Sequence, residues 1–170
     1  MNPKVSIIMG STSDLCVMEQ AAMILEEFEI PFEMNALSAH RTPDDAADFA
    51  KSAYGKGVRI IIAGAGGAAH LPGVIAAHTT IPVIGVPIKA SISIDGWDSL
   101  LSIVQMPPGI PVATVGLDAA RNAGILAAQM LGTGDEEMNK KVSEFKARLK
   151  SKIIKANEEL KEVKYKFKVN

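Results

Sequence analysis

Residues 38–43 (S-A-H-R-T-P) bring an imidazole, a permanent cation and two hydroxyl groups together within one short segment. Imidazoles as a class can exchange protons near neutral pH, whereas a guanidinium is a permanent cation. A partly apolar, extended stretch precedes the segment, and its proline and the two following aspartates are typical of a helix start. We therefore expect His40 at the carboxyl end of a strand, where open α/β sheets carry their chemistry. Taken alone, a His-Arg pair is also compatible with an ordinary polar loop.

The elements that must position these side chains follow a regular alternation of short apolar and longer amphipathic segments. The predicted strands are 4–9, 32–37, 58–63, 82–86 and 111–115, and the predicted helices are 15–29, 43–54, 71–78, 98–106 and 119–131. This alternation predicts right-handed βαβ crossovers. We expect an α/β fold, a three-layer αβα sandwich with a five-stranded parallel sheet of flavodoxin-like order 2-1-3-4-5. Residues 1–135 would form this catalytic domain.

Residues 136–170 show a different pattern and are expected to be a long C-terminal helical extension of the same domain. Eight apolar residues recur every three or four positions, which predicts one stripe on a helix of roughly 28 residues, about 42 Å long. A body of this size has a radius of gyration of about 15 Å, so we expect the helix to reach a neighbouring subunit. The alternative is that the helix packs back on its own domain.

Charge and composition exclude several classes of protein. The net charge of −1 argues against a nucleic-acid partner. The tail is basic, with 11 of the 18 Lys and Arg but 6 of the 19 acids, and these acids are interleaved as on a solvated helix face. The single cysteine, Cys16, excludes an intrachain disulfide and is predicted to be a small core residue. Without an apolar run of about 18 residues or a signal segment, we expect a cytoplasmic protein without a membrane partner.

Three polar loops are expected to line one crevice, because the first three strands are neighbours in the predicted sheet. They contribute Ser11, Ser13 and Asp14, then Ser38, His40 and Arg41, and finally a glycine-rich backbone followed by His70. Hydroxyls, helix-start N–H groups and an arginine fork favour a phosphate, and a nearby aspartate favours ribose hydroxyls. Glycines allow a flat ring or a carboxylate to approach the backbone, and His40 supplies a proton donor or acceptor. The pattern predicts a ribotide-like substrate and proton-assisted chemistry.

Other ligand classes fit the sequence less well, and we expect no cofactor and no metal. Residues 64–69 resemble a dinucleotide fingerprint loosely, but they follow the third strand, and the next strand ends near Lys89 instead of an acid. One Trp and two Tyr offer little to stack a flavin, a Walker loop is missing, and the three histidines lack metal-ligand spacing. For His70, a helix-start histidine bonded to backbone is as consistent with the sequence as a ligand contact.

Four segments carry a family resemblance: 10–14 (G-S-T-S-D), 38–43 (S-A-H-R-T-P), 63–73 (A-G-A-G-G-A-A-H-L-P-G) and 98–107 (D-S-L-L-S-I-V-Q-M-P). In this order, and over about residues 4–132, the chain resembles the N5-carboxyaminoimidazole ribonucleotide mutase family of bacterial purine synthesis. A related class that carboxylates aminoimidazole ribonucleotide directly with CO2 shares the fold but characteristically departs in the second and third segments. The resemblance therefore favours the mutase.

The resemblance implies an isomerase that moves a carboxyl group from the exocyclic nitrogen to C4 of the imidazole without cofactor, metal or ATP. It implies His40 as the general acid and base, through transient CO2. The substrate-binding residues it implies are Ser11, Ser13, Asp14, Ser38, Arg41, Ala65, Gly66, His70 and Leu71. It also implies a homo-octamer with sites near subunit boundaries. The open alternatives are a direct CO2-using carboxylase and a non-catalytic sugar-phosphate-binding module.

Overall fold

The computed structural model describes residues 2–169 and contains the predicted alternation of strands and helices. The strands are β1 Val5–Met9, β2 Phe32–Ala36, β3 Ile60–Gly66, β4 Val83–Ile88 and β5 Ala113–Thr114. The helices are α1 Leu15–Glu27, α2 Pro43–Ala53, α3 Leu71–His78, α4 Trp97–Val104, α5 Ala120–Gly132 and α6 Glu136–Lys161. All strand pairs are parallel, in the spatial order β2-β1-β3-β4-β5. The predicted flavodoxin-like sheet order is confirmed.

Two apolar layers cover the sheet. One layer packs α1 and α5, with the first half of α6, against inward-facing residues of β1, β3 and β4, and the other packs α2, α3 and α4 against the opposite face. Every residue of β1 and β4 is buried, as expected for central strands of a parallel sheet. Hydrophobic burial on both faces therefore fixes the strands whose carboxyl ends carry the polar loops.

The third strand differs from the prediction in a way that matters for the polar loops. It begins at Ile60 and continues to Gly66, so the first part of the predicted glycine-rich loop is strand and pairs with β4. A Cβ on Gly64 would lie 2.3 Å from the sulfur of the fully buried Met18, so any larger residue would force that side chain to move. The close packing of α1 on β3 therefore explains a glycine that the sequence alone suggested was loop.

Two local predictions were wrong. Cys16 is exposed and not a core residue, because the buried face of α1 consists of Met18, Ala21, Ile24 and Leu25. Asp98, a residue type that favours N-caps, is the predicted cap of the helix at 98–106. Helix α4 instead begins at Trp97 with Gly96 as N-cap, so Asp98 lies in the first helical turn. Gly96 has a φ of +84°, a conformation that glycine adopts without steric cost.

Helix α6 has two halves with different surroundings. Val142 and Phe145 are buried in the core layer with α1, and the Phe145 ring lies 5.3 Å from that of Phe28. Arg148 adds an ion pair to Glu27 at 2.8 Å. The apolar stripe then continues in solvent along the second half of the helix, where Leu149, Ile153 and Leu160 are 45%, 65% and 57% exposed. Within residues 2–169, the helices are too short or too polar to cross a membrane.

Candidate active site

A cavity of about 340 Å³ opens at the carboxyl ends of β1, β2 and β3. The parallel register brings these ends level, since Met9 pairs with Ala36 on one side and with Gly64 on the other. All ten site residues predicted from the sequence line it: Ser11, Ser13, Asp14, Ser38, His40, Arg41, Ala65, Gly66, His70 and Leu71. Five further residues complete the lining: Gly10, Ala39, Ala68, Ala90 and Ile92. The structure therefore brings the predicted set together without confirming the individual roles.

The first loop presents hydroxyl groups at one end of the cavity. Ser11 caps a 3-10 turn over Thr12–Asp14, and its Oγ accepts a hydrogen bond from the Ser13 backbone N–H at 3.2 Å. The Ser13 hydroxyl donates to the same oxygen at 3.2 Å. Helix α1 follows directly, so the turn holds both hydroxyl groups at the start of a helix, where N–H groups favour an anion.

The second loop is a tight turn that fixes Arg41. The Ser38 Oγ accepts from the Arg41 backbone N–H at 3.1 Å, and the Thr42 Oγ1 accepts from the Ser38 backbone N–H at 3.1 Å. The Arg41 side chain crosses to the first loop, where its Nη2 donates to the Gly10 carbonyl at 2.9 Å. The Arg41 Nε also donates, to the Ser38 Oγ at 3.4 Å. Because these two bonds use two of the five guanidinium N–H donors, the other three are left for a ligand.

The third wall is backbone and small side chains, with a contribution that the sequence argument missed. A Cβ on Gly66 would lie 2.7 Å from the Cβ of Ala90, so the chain can pass there only as glycine. The Ser93 Oγ accepts from the Gly67 N–H at 3.2 Å and from the Ala90 N–H at 3.1 Å. These two hydrogen bonds anchor the loop of residues 89–96, between β4 and α4, beside the cavity, and Ala90 and Ile92 of this loop join the cavity lining. An isoleucine in a polar loop was the only sequence signal for this contribution.

His40 and His70 meet across the cavity. His40 Nε2 lies 2.8 Å from His70 Nδ1, and the rings are nearly perpendicular, with centroids 5.0 Å apart. His70 is the N-cap residue of α3, but its side chain makes no capping hydrogen bond. The backbone-bonded interpretation of His70 is therefore not the one the structure adopts. The third histidine, His78, ends α3 and lies outside this cavity.

Asp14 is the buried carboxylate of the site, with 9% of the residue exposed. Burial raises the pKa of this carboxyl group above its ordinary value of 3.8. Hydrogen bonds from the Ser13 hydroxyl and from the backbone of Ser11 and Gly10, together with the Arg41 charge, oppose the increase in pKa without cancelling it. Keeping a charged carboxylate here at neutral pH therefore costs stability, which is characteristic of a group that serves a ligand.

We expect Asp14→Asn to raise the free energy of unfolding at neutral pH. Because the pKa of the Asp14 carboxyl group is higher in the native state, the native state still binds a proton at pH values where the unfolded state has lost it. The free energy of unfolding therefore falls as pH rises from 3.8 through the native pKa of Asp14. The neutral amide removes this loss, so the advantage of the variant should vanish below pH 3.8. Urea unfolding across this pH range measures the difference, with exposed Asp48→Asn as control. Equal stabilities at neutral pH would contradict the prediction.

Within residues 2–169, His, Cys, Asp and Glu side chains do not gather in groups of three or more that could hold a metal ion. The polar groups of the cavity instead suit an anionic organic ligand, with hydroxyls and a guanidinium at one end and two imidazoles at the other.

Residues 4–152 match the family model described as AIR carboxylase. The chain belongs to the AIR carboxylase family. A *Thermotoga maritima* protein named N5-carboxyaminoimidazole ribonucleotide mutase is 55% identical over 168 residues, which cover 99% of this chain and 98% of that protein. The family resemblance inferred from the four sequence segments is confirmed, and this chain is an enzyme of the AIR carboxylase family.

Two further relatives limit what similarity alone implies about the reaction. The crystal structure of *Treponema denticola* PurE superposes with a TM-score of 0.83 at 29% identity, covering 94% of this chain and 99% of that one. A *Schizosaccharomyces pombe* protein named phosphoribosylaminoimidazole carboxylase is 51% identical over 165 residues, 97% of this chain but 30% of that protein. High identity therefore extends to relatives with mutase names and to relatives with carboxylase names.

Proposed function

We propose that this enzyme converts N5-carboxyaminoimidazole ribonucleotide to 4-carboxy-5-aminoimidazole ribonucleotide in de novo purine synthesis, with His40 as general acid and base. The observation that carries the proposal is the convergence of all ten predicted residues on one cavity with His40 in its lining. The mutase name of a relative that is 55% identical over nearly the whole chain supports the same reaction.

The hydroxyl end of the cavity is proposed to bind the ribose phosphate. Ser11, Ser13 and Ser38 supply hydroxyls there, and Arg41 supplies a charged fork already anchored to the Gly10 carbonyl. A fork held in place loses little conformational entropy when it binds a phosphate. Asp14 would repel a phosphate at close range, so its carboxylate is assigned to the ribose hydroxyls.

Arg41→Ala is expected to act mainly on affinity. Removing a charged hydrogen-bond donor from a phosphate costs about 1.5–3 kcal/mol of binding free energy. Binding of the ribotide and of its phosphate-free nucleoside to each variant, by calorimetry, measures this loss. Arg59→Ala is the matched control, since Arg59 packs over the Tyr54 ring on another part of the surface. If ribotide and nucleoside lose affinity equally, Arg41 does not contact the phosphate.

The other end of the cavity is proposed to hold the imidazole ring and the migrating carboxyl group, against Ala65, Gly66, Leu71 and His70. His40 protonates the exocyclic nitrogen as the N–C bond breaks and CO2 leaves. The electron-rich C4 then attacks CO2, a C–C bond forms, and His40 removes the C4 proton. The proton that His40 gives to nitrogen is replaced by the one it takes from carbon, so the ring ends in its starting state.

Apolar walls would retain the CO2 between the two steps. Ala39, Ala65, Leu71 and Ile92 line the cavity with groups that neither hydrate CO2 nor compete for it. The substrate has to close the remaining opening, since His40 and His70 are exposed in the isolated chain.

The direct carboxylase is the second candidate, favoured by the 51% identity to the *S. pombe* carboxylase. The decisive assay incubates the pure protein with aminoimidazole ribonucleotide and bicarbonate, with and without chemically generated N5-carboxy substrate. A mutase uses the N5-carboxy compound well before free CO2 can accumulate, and a carboxylase responds to bicarbonate alone. A non-catalytic binding module would give no product in either arm.

A homo-oligomer, an octamer as the family resemblance implies, is proposed as the working form. Two exposed apolar surfaces support assembly: the second half of α6 and one face of α4, formed by Trp97, Leu101 and Val104. In each surface the exposed apolar residues lie on one face of a helix and are not scattered singly. The number eight rests on the family resemblance.

A further inference from the structure

The contact between His40 and His70 is unusual among the hydrogen bonds of the molecule, because it joins two titratable rings. Their facing atoms, Nε2 and Nδ1, lie 2.8 Å apart. Such a distance requires one hydrogen between the two nitrogens, with one ring donating and the other accepting. Two imidazolium ions would place a hydrogen on both facing atoms. The contact therefore carries one proton and tolerates at most one positive charge.

His70 is held more firmly than His40. Its backbone N–H donates to the Ala68 carbonyl at 2.8 Å, and its carbonyl accepts from the Val74 N–H at 3.0 Å in the first turn of α3. The next residue, Leu71, is buried. His40 lies in an exposed turn, and within residues 2–169 its ring has no hydrogen-bond partner other than His70. The backbone that carries His70 is therefore better anchored than the turn that carries His40, so the orienting role is assigned to His70.

We propose that His70 is a positioning residue for the reaction assigned above: its Nδ1 accepts a hydrogen bond from His40 Nε2 and so leaves His40 Nδ1 as the nitrogen that gives and takes the substrate proton. In this arrangement His70 stays neutral with its own hydrogen on Nε2. His40 alternates between the imidazolium and the neutral ring protonated on Nε2, and the contact survives both steps. This inference rests on the proposed function for its catalytic consequence, but the hydrogen bond itself can be tested without turnover.

The charges around the pair are compatible with this proton arrangement. The other charged residues in the cavity lining are Arg41 from the same loop and Asp14 from the first loop. One guanidinium and one carboxyl group therefore share the cavity lining with the pair. Without His70, the His40 ring would lose its fixed orientation and its choice of tautomer.

Variants at His70 separate positioning from proton transfer and from substrate binding. The amide oxygen of Asn can occupy nearly the place of Nδ1 and accept the same hydrogen bond, but Asn does not titrate. We expect His70→Leu to lower kcat by about 10²-fold with KM little changed, since small misplacements of a catalytic group have such effects. His70→Asn should recover at least about 10-fold of the kcat that His70→Leu loses, and its pH profile should keep the wild-type shape. His78→Leu, which alters the histidine outside the cavity, is the matched control and should behave as wild type.

A direct measurement completes the test. NMR spectra of uniformly 15N-labelled protein should show a scalar coupling through the hydrogen bond between His40 Nε2 and His70 Nδ1. Because the chain has three histidines, the spectra of the His70 and His78 variants suffice to assign the ring signals. Three outcomes would each overturn the proposal. They are equal losses of kcat in His70→Leu and His70→Asn, a rise in KM without a fall in kcat in His70→Leu, and the absence of the coupling in the wild type. A wild type with the coupling but without turnover would instead overturn the proposed function.

Discussion

Replacing His40 with Asn is expected to lower kcat by about 10²–10⁴-fold while the protein stays folded and still binds the ribotide. Asn retains a polar side chain of similar reach but cannot carry a proton between nitrogen and carbon. His40 is exposed and makes one side-chain hydrogen bond in the described structure, so its replacement should hardly alter stability. Steady-state kinetics with the N5-carboxy substrate, and calorimetric binding of the product, measure the two expectations.

His78→Asn is the control for His40→Asn, since it makes the same chemical change outside the cavity. The control should keep its turnover, its affinity and its unfolding curve. Turnover of His40→Asn within a few-fold of wild type would contradict the assignment of His40 as acid and base. Loss of ribotide binding in the same variant would point to a binding role instead.

Deleting residues 149–170 is expected to dissociate or loosen the assembly and leave the α/β body folded. The removed segment contains the exposed apolar stripe of α6, including Leu149, Ile153 and Leu160. Burying each such side chain in a neighbouring subunit contributes about 1.5–3 kcal/mol. Sedimentation of the truncated protein measures assembly, and urea unfolding measures the stability of the body. An unchanged assembly would show that the second half of α6 does not join subunits.

Deleting residues 136–170 should have an additional and larger effect on stability. Because five βα units are complete before residue 136, the sequence alone predicts an α/β body that folds without this segment. The structure revises that expectation, since Val142 and Phe145 belong to the core layer between α1 and α5. Their loss removes about 1.5–3 kcal/mol each from the free energy of unfolding. Equal unfolding midpoints for the two truncated proteins would contradict this division of α6.

The amino-acid sequence by itself determined the sheet order and ten of the fifteen residues that line the cavity. Parallel strands buried on both faces need continuous apolar runs, and the segments at Val5–Met9 and Val83–Ile88 are of that kind. Polar loops at the ends of neighbouring strands must then face one crevice, whatever their detailed conformation. The predicted residues therefore converge, because the topology, and not the loop geometry, brings them together.

Only the tertiary structure decided which groups touch. His40 and His70 are 30 positions apart in the sequence, and no local pattern fixes the 2.8 Å between their nitrogens. Contacts between distant segments also decide three further features of the molecule. They bury Asp14, bring Ile92 into the cavity lining, and divide α6 into a core half and an exposed half. Periodicity specifies the face on which a residue lies, whereas the packing of other elements decides whether that face meets protein or solvent.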